Sequence, residues 1–321
     1  MTTPETKTVN GAHASYPVPQ FDGKPSFDFN KLEIISAVRI DNFGQDPSSP
    51  DGVQRITMRS MDIVRNARYG QIVGIILCSQ EDACGNVELT EKIPCSLETF
   101  NKETGEFTVI ISPVGPSTKA LCAIGHGNFT NPAGRKQNYV HCVSGPIGIS
   151  PDIEDGNLIF VLGGYGTGVA IEVAKEALRI DANKKLSFII GARRPENLIL
   201  LKKLAEFGEV ISITDEGKWP MNGRVTAPLE ELLYTGENFG GIYAAGPWPM
   251  MAAVSEMAKS HEVTYWSSCD PNMKCMVGMC STCQVDIGKE IKVACTQGPW
   301  FRGYEIDYKG YAARLDDSRI C

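Results

Sequence analysis

Short apolar runs separated by turn clusters dominate the chain between about Leu32 and Ser150. Residues 71–77 (QIVGIIL) and 106–111 (EFTVII) are two of them, and 101–105 (NKETG) is a turn between. Short β-rich runs at that spacing predict a small antiparallel β-barrel. From about Asp155 to Thr264 the pattern changes to strand, glycine-rich turn, helix. The apolar run 157–162 leads into Gly163-Gly-Tyr-Gly-Thr-Gly168, and helical spacing follows over 169–178. Further strands are predicted at 186–191, 209–214 and 241–244, with helix-like sequence between them. Such alternation predicts a parallel sheet covered by helices. The expected division is a polar extension (1–31), a β-barrel (32–150), an α/β domain (151–264) and a cysteine segment with a tail (265–321). No internal repeat is visible.

Bulk properties narrow the class. With 321 residues, 42% of them hydrophobic, two or three domains with real cores are affordable on a soft prior of about 150 residues each. A net charge of −7 argues against a surface for nucleic acid. Eleven cysteines would suit a secreted scaffold, yet the opening MTTPETKTVNGAHASYPVPQ has no apolar signal core. A cytoplasmic location with thiols reduced or metal-bound is therefore expected. The richest apolar stretch, 158–174, is broken by four glycines, so no membrane span is expected.

The strongest chemical signal is the order C-x4-C-x2-C-x11-C formed by Cys275, Cys280, Cys283 and Cys295. Two bridged irons each need two soft thiolates, and a tight loop plus one later residue supplies them in the manner of a plant-type [2Fe-2S] cluster. Gly278 lets the loop curl and turn amides toward sulfur. Zinc is the competing reading, although structural zinc sites usually pair two short knuckles. Buried or disulfide-bonded cysteines are the third.

Other motifs are weaker alone. The turn at 163–168 suits a pyrophosphate facing free backbone N–H groups, but a strict G-x-G-x-x-G is absent and a plain tight turn also asks for glycine. Gly246 and Pro247 follow a strand where open α/β sheets bind ligands, while Met250 and Met251 read as core packing. Arg193 and Arg194, at another strand end, suit an adenosine 2'-phosphate or plain solvation equally. The four histidines, His13, His126, His141 and His261, form no triad or metal pattern, and no catalytic dyad stands out.

Taken together, barrel, α/β domain and cysteine loop resemble the ferredoxin-NADP reductase superfamily, from about Leu32 to Tyr308. The resemblance is to its electron-transfer subunits, typified by the dihydroorotate dehydrogenase iron-sulfur subunit and the small subunit of NADH-dependent ferredoxin:NADP oxidoreductase and sulfide dehydrogenase. It implies that Lys92, Pro94, Cys95 and Ser96 form the FAD phosphate and isoalloxazine segment, with lysine in place of the usual arginine. It further assigns Gly115 and Thr118 to the FAD pyrophosphate, and Gly145 and Gly148 to the segment closing the flavin domain. Gly164, Gly166, Thr167, Arg193, Arg194, Gly246 and Pro247 then serve the nicotinamide nucleotide, NAD(H) or NADP(H), with a lean toward NADH. Where the oxidoreductase small subunit has aspartate this chain has Cys275, which implies an all-thiolate cluster.

Hydride carries two electrons and the cluster passes one, so a flavin is expected between them. The resemblance thus implies an NAD(P)H-linked FAD and [2Fe-2S] electron-transfer subunit serving a larger flavin and iron-sulfur oxidoreductase. The 1–31 extension, with almost no apolar periodicity, is expected to be flexible or wrapped on a partner. Two assemblies fit, an electron-bifurcating transhydrogenase-type complex reaching ferredoxin and a dihydroorotate dehydrogenase. A reading from another class is a non-catalytic redox-sensing or zinc-binding nucleotide module.

Overall fold

The computed structural model describes residues 33–40, 52–81, 87–124, 139–216 and 221–317. The 1–31 extension, the 125–137 insertion, and His13 and His126 lie outside these residues.

Seven strands form the first sheet: β1 (Glu33–Arg39), β2 (Gln54–Arg59), β3 (Ile72–Glu81), β4 (Val87–Leu89), β5 (Ile93–Asn101), β6 (Glu106–Ile111) and β7 (Tyr139–Ile147). Their order is β1-β2-β6-β5-β3-β4, with β7 also on β3, and every pairing is antiparallel. This is the expected barrel, present as a half-barrel. Alternation along β2 and β5 turns Ile56, Met58, Ile93, Cys95 and Leu97 inward, where α1 (Met61–Arg65) and α2 (Pro116–Ile124) close the core with Val64 and Leu121.

The second sheet runs β10-β9-β8-β11-β12-β15. Its strands are β8 (Asn157–Gly163), β9 (Leu186–Ala192), β10 (Glu209–Thr214), β11 (Phe239–Ala245), β12 (Thr264–Ser268) and β15 (Trp300–Arg302). The first five are parallel, and β15 alone is antiparallel, on β12. Helices α3 (Ala170–Ile180), α4 (Leu201–Leu204), α5 (Thr226–Leu233) and α6 (Trp248–Ser260) follow the strands in turn. Both faces are covered, which is why β8 reads as an unbroken apolar run and is buried from Leu158 to Gly163. The helix expected from Val169 begins one residue later, because Gly164–Val169 winds as a 3-10 turn first.

The expected boundary at 264/265 divides β12, and the cysteine segment is not a separate body. After the loop come the hairpin β13 (Gln284–Ile287) and β14 (Glu290–Val293), then α7 (Ala294–Gln297), and the chain then re-enters the parallel sheet as β15 before α8 (Tyr308–Asp317). One hydrophobic core holds Ile159 and Ile242 of the sheet together with Met273, Met276, Cys283 and Cys295. A buried hydroxyl chain, Tyr265 to Tyr308 at 2.9 Å and Tyr308 to Ser267 at 3.0 Å, fastens α8 to β12. Among the described residues no helix is long and apolar enough to cross a membrane.

Candidate functional site

Strand order reverses between β8 and β11, and at that switch point the carboxyl ends of the two strands open a crevice. Glycine makes the crevice possible. A Cβ on Gly166 would stand 2.9 Å from the Ala245 carbonyl, and one on Gly246, whose φ is +151°, would meet the Gly163 Cα at 3.0 Å. The two strand-end turns therefore touch backbone to backbone. Gly164, with φ of +55°, has nothing within 4 Å of its Cβ position and leaves room in front of the turn.

The crevice continues as a cleft of about 700 Å³ between this edge and the outer face of the half-barrel. Pro94, Cys95 and Ser96 of β5 form one wall, Gly164, Gly166, Gly246 and Pro247 the other, and Thr118 of α2 one end. Eight of the residues expected from sequence thus meet in one place. Tyr165 lines it from within the glycine turn, and three further lining residues had no local motif to announce them: Asp270, Asn272 and Tyr311. Tyr311 comes from α8, far along the chain, and its phenol hydrogen-bonds the Asp270 backbone.

Asp270 is the electrostatic centre of the cleft. Desolvation pushes its carboxyl up to about 6. Its negative charge in turn raises the Tyr165 phenol. Glu98, the other acidic lining residue, is committed to Arg55 at 2.6 Å. Among the described residues no lysine or arginine lines the cleft.

Several expected cofactor residues lie elsewhere. Thr167 is fully buried, and its hydroxyl donates to the Gly164 carbonyl at 2.8 Å, bracing the turn from behind. Gly145 packs against β3 within the half-barrel, its Cβ position 3.1 Å from the Ile72 carbonyl oxygen, and Gly148 sits at a seam between the half-barrel and the end of the cysteine segment. A Cβ on Gly148 would meet the Gly298 carbonyl oxygen at 2.6 Å, and Ile149 bridges to Pro299. Gly115 holds the start of α2: its N–H donates to the Thr118 hydroxyl at 2.9 Å, and that hydroxyl donates to the Gly115 carbonyl at 3.0 Å. Lys92 does not line the cleft; its ammonium donates to the Cys275 carbonyl at 3.1 Å.

Arg193 and Arg194 leave the end of β9 beside the end of β10. Glu216 takes both, Arg193 Nε at 2.7 Å and Arg194 Nε at 2.9 Å. All three are exposed, so the clamp contributes little to stability, but it places a carboxylate where two cations would otherwise stand free.

In the cysteine loop the backbone curls through left-handed conformations at Met276 (+56°), Gly278 (+78°) and Ser281 (+54°). The Val277 and Cys280 amides donate to Cys275 Sγ at 3.5 and 3.4 Å. Hydrogen bonds from Thr282, first its hydroxyl and then its amide, lower the exposed Cys280 thiol to about 6. Burial raises Cys295 to about 11, Cys283 beside it adds to this, and the Gly278 amide opposes it. The four thiols thus stand as two pairs, Cys275 with Cys280 and Cys283 with Cys295. Among the described residues no three ligating side chains converge on a single-ion site. Two pairs with amides aimed at sulfur are what a bridged two-iron cluster asks for. Cys269 is fully buried against Ser267 and stands apart from the pairs.

The cleft fits a flavin and a nicotinamide nucleotide by size, by its hydroxyls and backbone amides, and by its aromatic wall. The start of the nine-residue α2, with Thr118, closes one end of it.

The comparisons with known proteins agree. Residues 270–307 match the family model for the iron-sulfur cluster binding domain of dihydroorotate dehydrogenase B. A Thermotoga maritima protein named dihydroorotate dehydrogenase B (NAD(+)), electron transfer subunit homolog, is 32% identical over 263 residues, 82% of this chain and 86% of that one. The electron transfer subunit of Caldanaerobacter subterraneus is 29% identical, covering 67% of this chain and 80% of its own. Among solved structures, an NADH-dependent reduced ferredoxin-NADP oxidoreductase described for flavin-based electron bifurcation superposes with a TM-score of 0.71 at 28% identity, covering 89% of this chain and 92% of that one. Fold, loop and sequence lead to one statement: the chain belongs to the ferredoxin-NADP reductase-like family of electron-transfer subunits that includes those of dihydroorotate dehydrogenase B.

Proposed function

We propose that this chain takes hydride from NAD(P)H in the β8/β11 crevice and passes the electrons through FAD and a [2Fe-2S] cluster to a larger partner flavoprotein. One observation carries the reading: β5 is shared. Its outer face lines the cleft at Pro94 and Ser96, and Lys92, the residue immediately before it, touches the cysteine loop, so one short stretch of chain joins the two sites. The bound groups supply two-electron acceptance and one-electron release. The protein's own residues do the rest. Glycine-lined turns bring backbone amides to the dinucleotide, Tyr165, Trp248 and Tyr311 wall the cleft, and Asp270 stands by as the titratable side chain. Cys275, Cys280, Cys283 and Cys295 hold the cluster near the surface.

The partner divides two readings. The likeness to the ferredoxin-NADP oxidoreductase over 89% of this chain favours a bifurcating, transhydrogenase-type complex. The all-thiolate loop and the 270–307 match favour a dihydroorotate dehydrogenase. Anaerobically purified protein should hold one FAD per chain, show a reducible [2Fe-2S] EPR signal and reduce dyes with NAD(P)H. Stoichiometric zinc without iron would overturn the reading. Native copurification then decides between the two partners, a dihydroorotate-oxidising flavoprotein or one with further iron-sulfur centres.

A further inference from the structure

Lys92, whose sequence position suggests a flavin contact, has its ammonium on the cysteine loop. It immediately precedes β5, one residue before the ladder begins, and its ammonium reaches the Cys275 carbonyl across 183 positions of chain. Below it β3 carries Gly74, paired with Pro94. A Cβ on Gly74 would meet Met276 Sδ at 2.5 Å and Lys92 Cδ at 2.6 Å, so the glycine is a seat on which the lysine stem and the Met276 thioether close together. Met276 is buried and follows Cys275 in a left-handed conformation that a methionine adopts only when its surroundings hold it there. The reach of the positive charge is visible at Cys142 on β7, where burial raises the thiol and Lys92 opposes the rise.

We infer that Lys92 is a positioning residue for the cysteine loop, and that its fixed charge beside Cys275 raises the reduction potential of the cluster the loop holds. The inference rests on the electron-transfer reading above. The sign follows from charge: reduction adds one electron to the thiolate-bound centre, and a nearby cation favours the more negative state. Lys274, the next cation in the loop, is exposed and screened by solvent. Lys92 is half-buried and held by its hydrogen bond, so its contribution persists.

The test uses anaerobic full-length holoprotein with Lys92→Met, which keeps the stem and removes the charge, and Lys92→Arg, which keeps the charge. Iron, sulfide and FAD content are measured first, then the cluster midpoint by EPR-monitored redox titration. Wild type without a [2Fe-2S] signal overturns the electron-transfer reading itself, before any variant is made. With the cluster present, Lys92→Met should retain FAD and lower the midpoint by the equivalent of about a tenfold shift, ~59 mV for a one-electron couple. Lys92→Arg should stay near wild type. An unchanged midpoint in Lys92→Met overturns the inference, and an unchanged midpoint with lost FAD returns the lysine to the flavin. If Lys92→Met assembles no cluster, Lys92→Arg decides: a cluster at the wild-type midpoint supports the inference, and failure of both variants overturns it.

Discussion

Arg193, Arg194 and Glu216 make one charge pattern out of two motifs that lie more than twenty residues apart. Two free arginines would suit a 2'-phosphate through their bidentate forks, whereas a carboxylate shared between them repels it. NADH should therefore be the better substrate, and Glu216→Gln should improve kcat/KM for NADPH by roughly three- to tenfold, the scale of a partly screened charge. Steady-state kinetics with both nucleotides check this, and an unchanged ratio would remove Glu216 from specificity. Asp270 makes a second residue-scale case, with a pH sign. Its carboxyl is raised from 3.8 to about 6, so it is largely neutral at about pH 5 and charged at about pH 8. A charged Asp270 repels an anionic dinucleotide. Wild-type affinity for NADH should fall as pH rises through about 6. Asp270→Asn should flatten that fall, binding several-fold tighter at about pH 8 and equally at about pH 5. Isothermal titration at the two pH values is the measurement.

At the scale of elements, crossing the β8 and β11 turns needs backbone-to-backbone contact. Gly166→Ala would push a methyl into the Ala245 carbonyl and should cost about 1–3 kcal/mol of stability, with loss of nucleotide binding. Gly164→Ala meets only conformational strain. Thermal unfolding of the two variants separates the effects, and equal behaviour would refute the crossing argument. The same elements show what a sequence can and cannot disclose. Strand, turn and helix were legible from 157 to 178 because apolar period and glycine spacing are local. Thr118, Gly164 and Gly246 line the cleft as expected because each sits at a helix start or strand end, and Ser96 because strand alternation turns it outward. Thr167 was misplaced because the turn winds as a 3-10 helix, which directs its hydroxyl back to Gly164. Lys92 was misplaced because strand period fixes the face of a side chain, while the reach of a long stem is fixed by what folds over it. Asp270 and Tyr311 carry no motif; they reach the cleft only once β12 and α8 dock.

At the scale of the whole molecule, the cysteine loop belongs to the body of the protein and also to its surface. Met273, Met276, Cys283 and Cys295 enter the α/β core, and β15 returns to the parallel sheet, so the loop cannot drift relative to the cleft. Its outer rim faces outward: Met279 is 84% exposed and Val277 59%, on either side of Gly278 and next to Cys280. An apolar rim around the thiols nearest solvent suits an electron exit that a partner covers. Met279→Asp places a charge on that rim without touching a ligand or the core. The variant should keep its iron, its FAD and its dye reduction with NAD(P)H. Its affinity for the native partner should fall roughly tenfold, about 1.4 kcal/mol. Pull-down and size-exclusion chromatography of the complex measure the affinity, and the dye assay serves as the internal control. Wild-type assembly by Met279→Asp would mean that electrons leave through another face.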